Sequence, residues 1–185
     1  MTTFQVHTID SAPAAAKDAL IGLKKEIGMI PNLAASMAES PELLKAFLAI
    51  RDIFYKGSFN PAEVQTLALT NAFENGCRYC MSLHSTFAHK VGVSQQSVEA
   101  LRRGESPTEE KLAALSDFSR KLVRNRGNVS SEDLARFIAA GYSKAHALEV
   151  VLGVAVSILP NFAHHLTDCP IDDAFRGQLW SNPLE

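Results

Sequence analysis

Residues 60–84 read Asn60-Pro61-Ala62-Glu63-Val64-Gln65-Thr66-Leu67-Ala68-Leu69-Thr70-Asn71-Ala72-Phe73-Glu74-Asn75-Gly76-Cys77-Arg78-Tyr79-Cys80-Met81-Ser82-Leu83-His84. Asn60 before Pro61 is a helix start, because an Asn side chain caps free N–H groups and proline's missing donor costs nothing at the first helical position. Glu63, three residues after Asn60, imitates a capping box. Gly76 supplies a left-handed stop without steric cost, and a second helix then opens on two cysteines. The stretch therefore predicts two helices joined by a tight corner.

Working outward, the same punctuation recurs at Ser40-Pro41-Glu42 and at Ser106-Pro107-Thr108-Glu109, where Ser106 and Glu109 would form a full capping box. Apolar residues between these signals repeat at helical spacing, as in Leu43, Leu44, Phe47, Leu48 and in Leu112, Leu115, Phe118, Leu122. No segment alternates as a half-buried strand does. The expected helices span about 12–27, 41–55, 61–74, 78–91, 94–103, 107–124, 131–140 and 143–159, with Gly76, Gly92, Gly104, Gly127 and Gly141 at the joints. This predicts an all-α fold: a compact helical bundle forming one domain over residues 1–185, with no linker. The last helix carries Leu148, Val151, Leu152, Ala155, Val156 and Leu159, so it is expected at the centre or at a subunit interface.

Composition excludes several classes. The 46% hydrophobic and 21% charged residues suit a folded soluble chain rather than a disordered one. A net charge of −2, with both signs interspersed, offers no basic face for nucleic acid. The first eleven residues contain His7 and Asp10 and lack an apolar core, so they do not read as a secretory signal, and a cytoplasmic location is expected. The longest uncharged run, 150–163, falls short of the roughly 20 residues a bilayer needs and contains Pro160 and Asn161, so no membrane span is expected. Three cysteines are too few for a disulfide scaffold, so Cys77 and Cys80 read as chemistry.

That chemistry follows from helical spacing. Cysteine attacks as thiolate, and a thiol of ordinary pKa, about 8.5, is mostly protonated near neutrality. In the first turn of a helix the unpaired N–H groups and the positive dipole end favour the anion. His84 lies four residues after Cys80 and seven after Cys77, so all three share one face and Cys80 has His84 as its direct neighbour. Cys80 is thus the expected nucleophile, His84 its proton partner and Cys77 the resolving thiol. The competing reading is half a zinc site completed by His84 and His89 or Cys169, which lacks a second closely spaced ligand pair. His164 and His165 read as helix-end polar groups and Cys169 as a lone thiol, without roles.

The stretch Glu74 to His84 closely resembles the core motif of the carboxymuconolactone decarboxylase superfamily, in its alkylhydroperoxidase AhpD-like branch, over about Asn60–Gly104. The resemblance implies that Cys80 is peroxidatic and Cys77 resolving, in agreement with the spacing. It also implies a peroxidase (antioxidant) oxidoreductase with no flavin, haem or metal, acting on a hydroperoxide and reset by an external dithiol, lipoyl or thioredoxin-like. Homo-oligomers, trimers or hexamers, are implied too. The decarboxylase branch lacks the cysteine pair, so lactone chemistry is not. Where the family relay has a glutamate, this chain has Gln65, which can hold a hydrogen bond to His84 but cannot take a proton as a carboxylate does. Gln65 lies eleven residues before Gly76 and His84 eight after it, roughly 16 Å and 12 Å along two helices folded back on each other, so the two side chains can meet. Tyr79 occupies a further relay position, Glu63 is a helix-start acid, and Glu74 can approach the thiols from the preceding helix end. The alternative function is a non-catalytic redox sensor using the same dithiol as a switch. A thioredoxin-type reductase would need a βαβ pattern the chain lacks.

Overall fold

The structure, a computed structural model, describes residues 4–183. Its helices are α1 (Ala14–Ile27), α2 (Asn32–Met37), α3 (Pro41–Tyr55), α4 (Pro61–Glu74), α5 (Arg78–Lys90), α6 (Gln95–Arg102), α7 (Glu110–Arg124), α8 (Ser131–Ala139) and α9 (Lys144–Thr167), followed by a 3-10 turn at Asp173–Gln178. No strand occurs among the described residues. The fold is all-α, as the periodicity predicts.

The caps form where the residues are competent to make them. The Ser40 side chain accepts from the Leu43 N–H, and Asn60 and Glu63 close a reciprocal capping box at the start of α4. The Ser106–Glu109 box does not form, and α7 starts at Glu110 rather than 107. Tertiary partners win there: the Ser97 hydroxyl accepts from the Thr108 N–H at 2.8 Å and donates to the Glu109 carboxylate. The short α2 lies in a stretch without a long apolar period and was not expected.

The central element is α4, packed by α5, α6, α7 and α9. It tolerates that position because its polar residues are satisfied. Thr66 and Thr70 donate back to the carbonyls of Ala62 and Thr66, and Asn71 bonds Ser119 and Ser157. Of the two places expected for the last helix, the centre is not the one it takes: α9 leaves Leu148, Val151, Phe162 and Leu166 exposed, although α2, α3, α4, α5, α7 and α8 pack on it. By length and composition α9 is apolar enough to cross a membrane. It runs on past the predicted end at 159, with Pro160 inside it. The continuation is held by its far end: Asn161 Oδ1 accepts from Asn75 Nδ2 and His165 Nε2 bonds the Asn75 carbonyl, each at 2.8 Å. After α9 the chain returns across α5, where Phe175 packs on Tyr79 and Phe87.

Candidate active site

The corner between α4 and α5 sets the thiols. Gly76 is left-handed, with φ of 64°. The Gly76 N–H bonds Phe73 O and the Cys77 N–H bonds Ala72 O, the paired bonds that close a helix end in a Schellman motif. The chain turns at once into α5 with Cys77 as its N-cap, and the Cys77 sulfur accepts from the Cys80 N–H at 3.3 Å. Both cysteines are therefore in a helix entrance, as the spacing predicts, but in unequal positions. Cys77 is fully buried and caps the free N–H groups, whereas Cys80 stands one turn inside.

That inequality separates their acidities. Burial pushes the Cys77 thiol up, but hydrogen bonds from the Cys80 thiol, from His164 and from the Cys80 N–H outweigh it and bring Cys77 down to about 5. Burial and the adjacent Cys77 push Cys80 well above its ordinary value, and the Asn161 side chain opposes them. The two sulfurs thus titrate as a pair, and the N-cap position, where the Cys80 N–H donates to its sulfur, favours the charge on Cys77.

A cavity of about 200 Å³ opens beside them, lined by residues of α1, α2, α3, α4, α5 and α9. Cys80, His84 and Gln65 line it and Cys77 does not. Its apolar wall comes from side chains such as Leu23, Leu33, Met37 and Phe87, and its polar strip from Arg51, Tyr55, Gln65 and His84. The Gln65–His84 contact is present: Gln65 Oε1 accepts from His84 Nδ1 at 2.9 Å. The imidazole then carries its proton on Nδ1, leaving Nε2 as the acceptor. Burial pushes His84 down to about 4, so it is neutral over most of the working range. The Gln65 amide also interacts with the Tyr55 phenol.

Other sequence candidates stand apart from the reaction path. Glu74 turns away from the thiols to a buried ion pair with Arg120 and Arg124. Tyr79 is fully buried, and burial together with the hydrogen bond its hydroxyl donates to the Asp172 carboxylate pushes its phenol pKa far up, beyond any use as a relay near neutrality. Asp172 in turn accepts from the Asn32 N–H, so Tyr79 ties the C-terminal segment to α2 and α5. Glu63 accepts from Tyr142 and pairs with Lys111. His89 is exposed, and among the described residues no three His, Cys, Asp or Glu side chains converge as a metal site requires. Cys169 is buried, its thiol pushed by burial up to about 11.

Two site residues escaped the sequence reading. His164 is buried against the Tyr79 ring and helps hold Cys77 down. Asn161 is buried at Cys80, with its oxygen engaged by Asn75 so that its N–H₂ is left to face sulfur. Both lie beyond Pro160. The signal was the Asn161-to-His165 polar cluster at the end of an otherwise apolar helix.

Comparison with known proteins bears on the fold. The sequence model of the carboxymuconolactone decarboxylase family matches residues 41–116. No curated protein matches the chain. Among solved structures, an alkylhydroperoxidase AhpD core, an uncharacterized peroxidase-related protein from Ralstonia eutropha JMP134, superposes with a TM-score of 0.82 at 17% identity, covering 93% of each chain. A peroxidase-related protein from Silicibacter sp. TM1040 gives 0.78 at 19%, covering 95% of each. The debrominase Bmp8, as a cysteine-to-alanine variant in complex with 2,3,4-tribromopyrrole, gives 0.76 at 21%, covering 96% of each. Residues 41–116 are thus similar to the carboxymuconolactone decarboxylase family, and the chain shares the fold of these AhpD-like and peroxidase-related structures.

Proposed function

We propose that the protein is a thiol peroxidase that reduces organic hydroperoxides through a Cys77/Cys80 dithiol–disulfide cycle. One observation carries the reading: the cavity reaches Cys80 and His84 but not Cys77. A substrate in it meets Cys80 first. The charge held on Cys77 is transferred when the Cys80 proton moves to Cys77 along their hydrogen bond, with the Asn161 amide stabilising the new thiolate. The Cys80 thiolate attacks the outer peroxide oxygen, the O–O bond breaks, and the alkoxide takes a proton from solvent and leaves as alcohol, with His84 Nε2 positioning the peroxide hydroxyl. The Cys80 sulfenic acid is then attacked by the Cys77 sulfur, forming the S–S bond and releasing water. An external dithiol reduces the bridge. The sum is two thiols and one hydroperoxide giving one disulfide, one alcohol and one water.

The peroxidase-related fold neighbours support the coarse class. Steady-state consumption of cumene hydroperoxide with lipoyl, thioredoxin-like or small dithiol donors tests it. Turnover with at least one donor is the expected result. A single oxidation that stops would make the pair a redox switch.

A second reading has its own observation, the mostly apolar cavity in a fold shared with a debrominase. There a Cys80 thiolate would take bromine from an aryl bromide that gains a proton, and Cys77 would release bromide by closing the disulfide. Bromide release from a brominated pyrrole separates this from peroxide reduction.

A further inference from the structure

The tyrosine that ends α3 carries a hydroxyl hydrogen that no protein group takes. Tyr55 lines the cavity together with Cys80, His84 and Gln65. Its side chain is partly open to solvent, the residue being 44% exposed, while its phenol oxygen meets the Gln65 amide. Gln65 Oε1 is already engaged by His84 Nδ1–H at 2.9 Å, so the amide turns its N–H₂ towards the phenol. An amide N–H₂ only donates, so the Tyr55 oxygen accepts and its own O–H is left to donate elsewhere. Its other neighbours, the Phe54 ring and the Arg51 guanidinium, offer no lone pair to that hydrogen. One amide therefore sets a donor, Tyr55 O–H, and an acceptor, His84 Nε2, on the same cavity wall. A hydroperoxide complements that pair, because it donates through its terminal hydroxyl and accepts on its alkoxy oxygen.

We propose that Tyr55 is a catalytic residue of the peroxide reaction: its O–H donates to the alkoxy oxygen while the outer oxygen, held at His84 Nε2, is attacked by Cys80. The inference rests on the peroxidase reading and deepens it by naming the group that hands the alcohol its proton. The Cys80 sulfur lone pair forms the S–O bond, and the O–O electron pair passes to the alkoxy oxygen. That oxygen takes the Tyr55 proton and leaves as alcohol, and the phenolate recovers a proton from solvent, so the solvent proton reaches the alkoxide through Tyr55. The transfer runs downhill, because an alkoxide is a base of hydroxide's strength, the parent water having a pKa of about 15.7, whereas a phenol ordinarily has about 10. Burial, the largest influence on Tyr55, raises its pKa, so the phenol keeps its hydrogen until the O–O bond breaks. The Arg51 guanidinium, 5.7 Å from the ring centre, acts in the other direction and steadies the phenolate while it lasts.

Stopped-flow oxidation of the reduced protein by cumene hydroperoxide and by perbenzoic acid tests the assignment. Both are one-ring peroxides, but the benzoate that leaves the peracid is a weak base and needs no proton as the O–O bond breaks. Tyr55→Phe should slow the reaction with cumene hydroperoxide on the order of 100-fold, the usual worth of a general acid, and leave that with perbenzoic acid close to native. Slowing of both by the same factor would make Tyr55 a structural residue, and slowing of neither would make it a bystander; either result overturns the proposal. Should Tyr55→Phe fail to fold, the native protein in heavy water decides: cumene hydroperoxide should slow more than perbenzoic acid, and an equal effect on both overturns the proposal. A native protein inert towards both peroxides is a different failure, which removes the peroxidase reading and this proposal with it.

Discussion

At the scale of single residues, the site depends on what each polar group is bonded to. Gln65 orients His84 as a neutral acceptor, so Gln65→Glu should put a carboxylate on Nδ1–H, raise the imidazole's proton affinity and increase the rate of peroxide attack. Gln65→Leu should reduce that rate, as stopped-flow measurement would read. Asn161→Ala removes a donor from the Cys80 thiolate and should slow its alkylation about tenfold, the worth of one charge-assisted bond of about 1.5 kcal/mol. His84 also makes stability depend on pH. Burial lowers its pKa from 6.5 to about 4, so the unfolded chain binds the extra proton first. The stability from keeping His84 neutral is full above about pH 6.5 and is lost as the pH falls towards 4, on the order of 3 kcal/mol in all. Urea denaturation across that range should show the loss, and His84→Phe should flatten it. The shared face of Cys77, Cys80 and His84 was legible from helical spacing, whereas Gln65 came from the resemblance to the family relay and the α4–α5 corner brings it to His84. His164 and Asn161 were not legible, because proline normally ends a helix, and tertiary interactions such as the bonds to Asn75 hold α9 beyond Pro160.

At the scale of elements, the α4–α5 corner converts a local sequence signal into site geometry. Gly76 holds φ of 64°, where a Cβ is strained, and its neighbour Cys77 is both the end of one helix's bonding and the cap of the next. Gly76→Ala should destabilise the fold by about 1 kcal/mol and displace the Cys77 sulfur from the Cys80 N–H, raising the pH at which the thiolate appears by ultraviolet absorbance. Glu74 anchors the end of α4 to α7 through Arg120 and Arg124. Glu74→Ala leaves the nearly buried Arg120 unpaired and should cost about 3 kcal/mol in urea denaturation. The cap signals were readable at Ser40 and Asn60, where the helix start is decided locally. At Ser106 the same pattern failed, because Ser97 offers Thr108 and Glu109 better partners from another helix.

At the scale of the whole molecule, two surfaces matter. The first is the apolar face of α9, where Leu148 and Leu166 are each 74% exposed. We expect this face to join copies of the chain, so light scattering should give a homo-oligomer that a Leu148→Glu, Leu166→Glu double variant dissociates. The second is the cavity that reaches Cys80, while Cys77 is closed over by the bundle. Sequence spacing placed both thiols on one helix face, but only the packed bundle distinguishes the one a substrate meets. The decisive measurement is therefore peroxide treatment of Cys77→Ser and Cys80→Ser with a dimedone-type trap and mass spectrometry. Cys77→Ser should accumulate trapped sulfenic acid at Cys80 and form no intramolecular disulfide, while Cys80→Ser should react far more slowly. Rapid trapping at Cys77 in the Cys80→Ser variant, with Cys77→Ser unreactive, would contradict the account: the low-pKa thiol would be the attacking one, and the cavity would not be where the peroxide reacts.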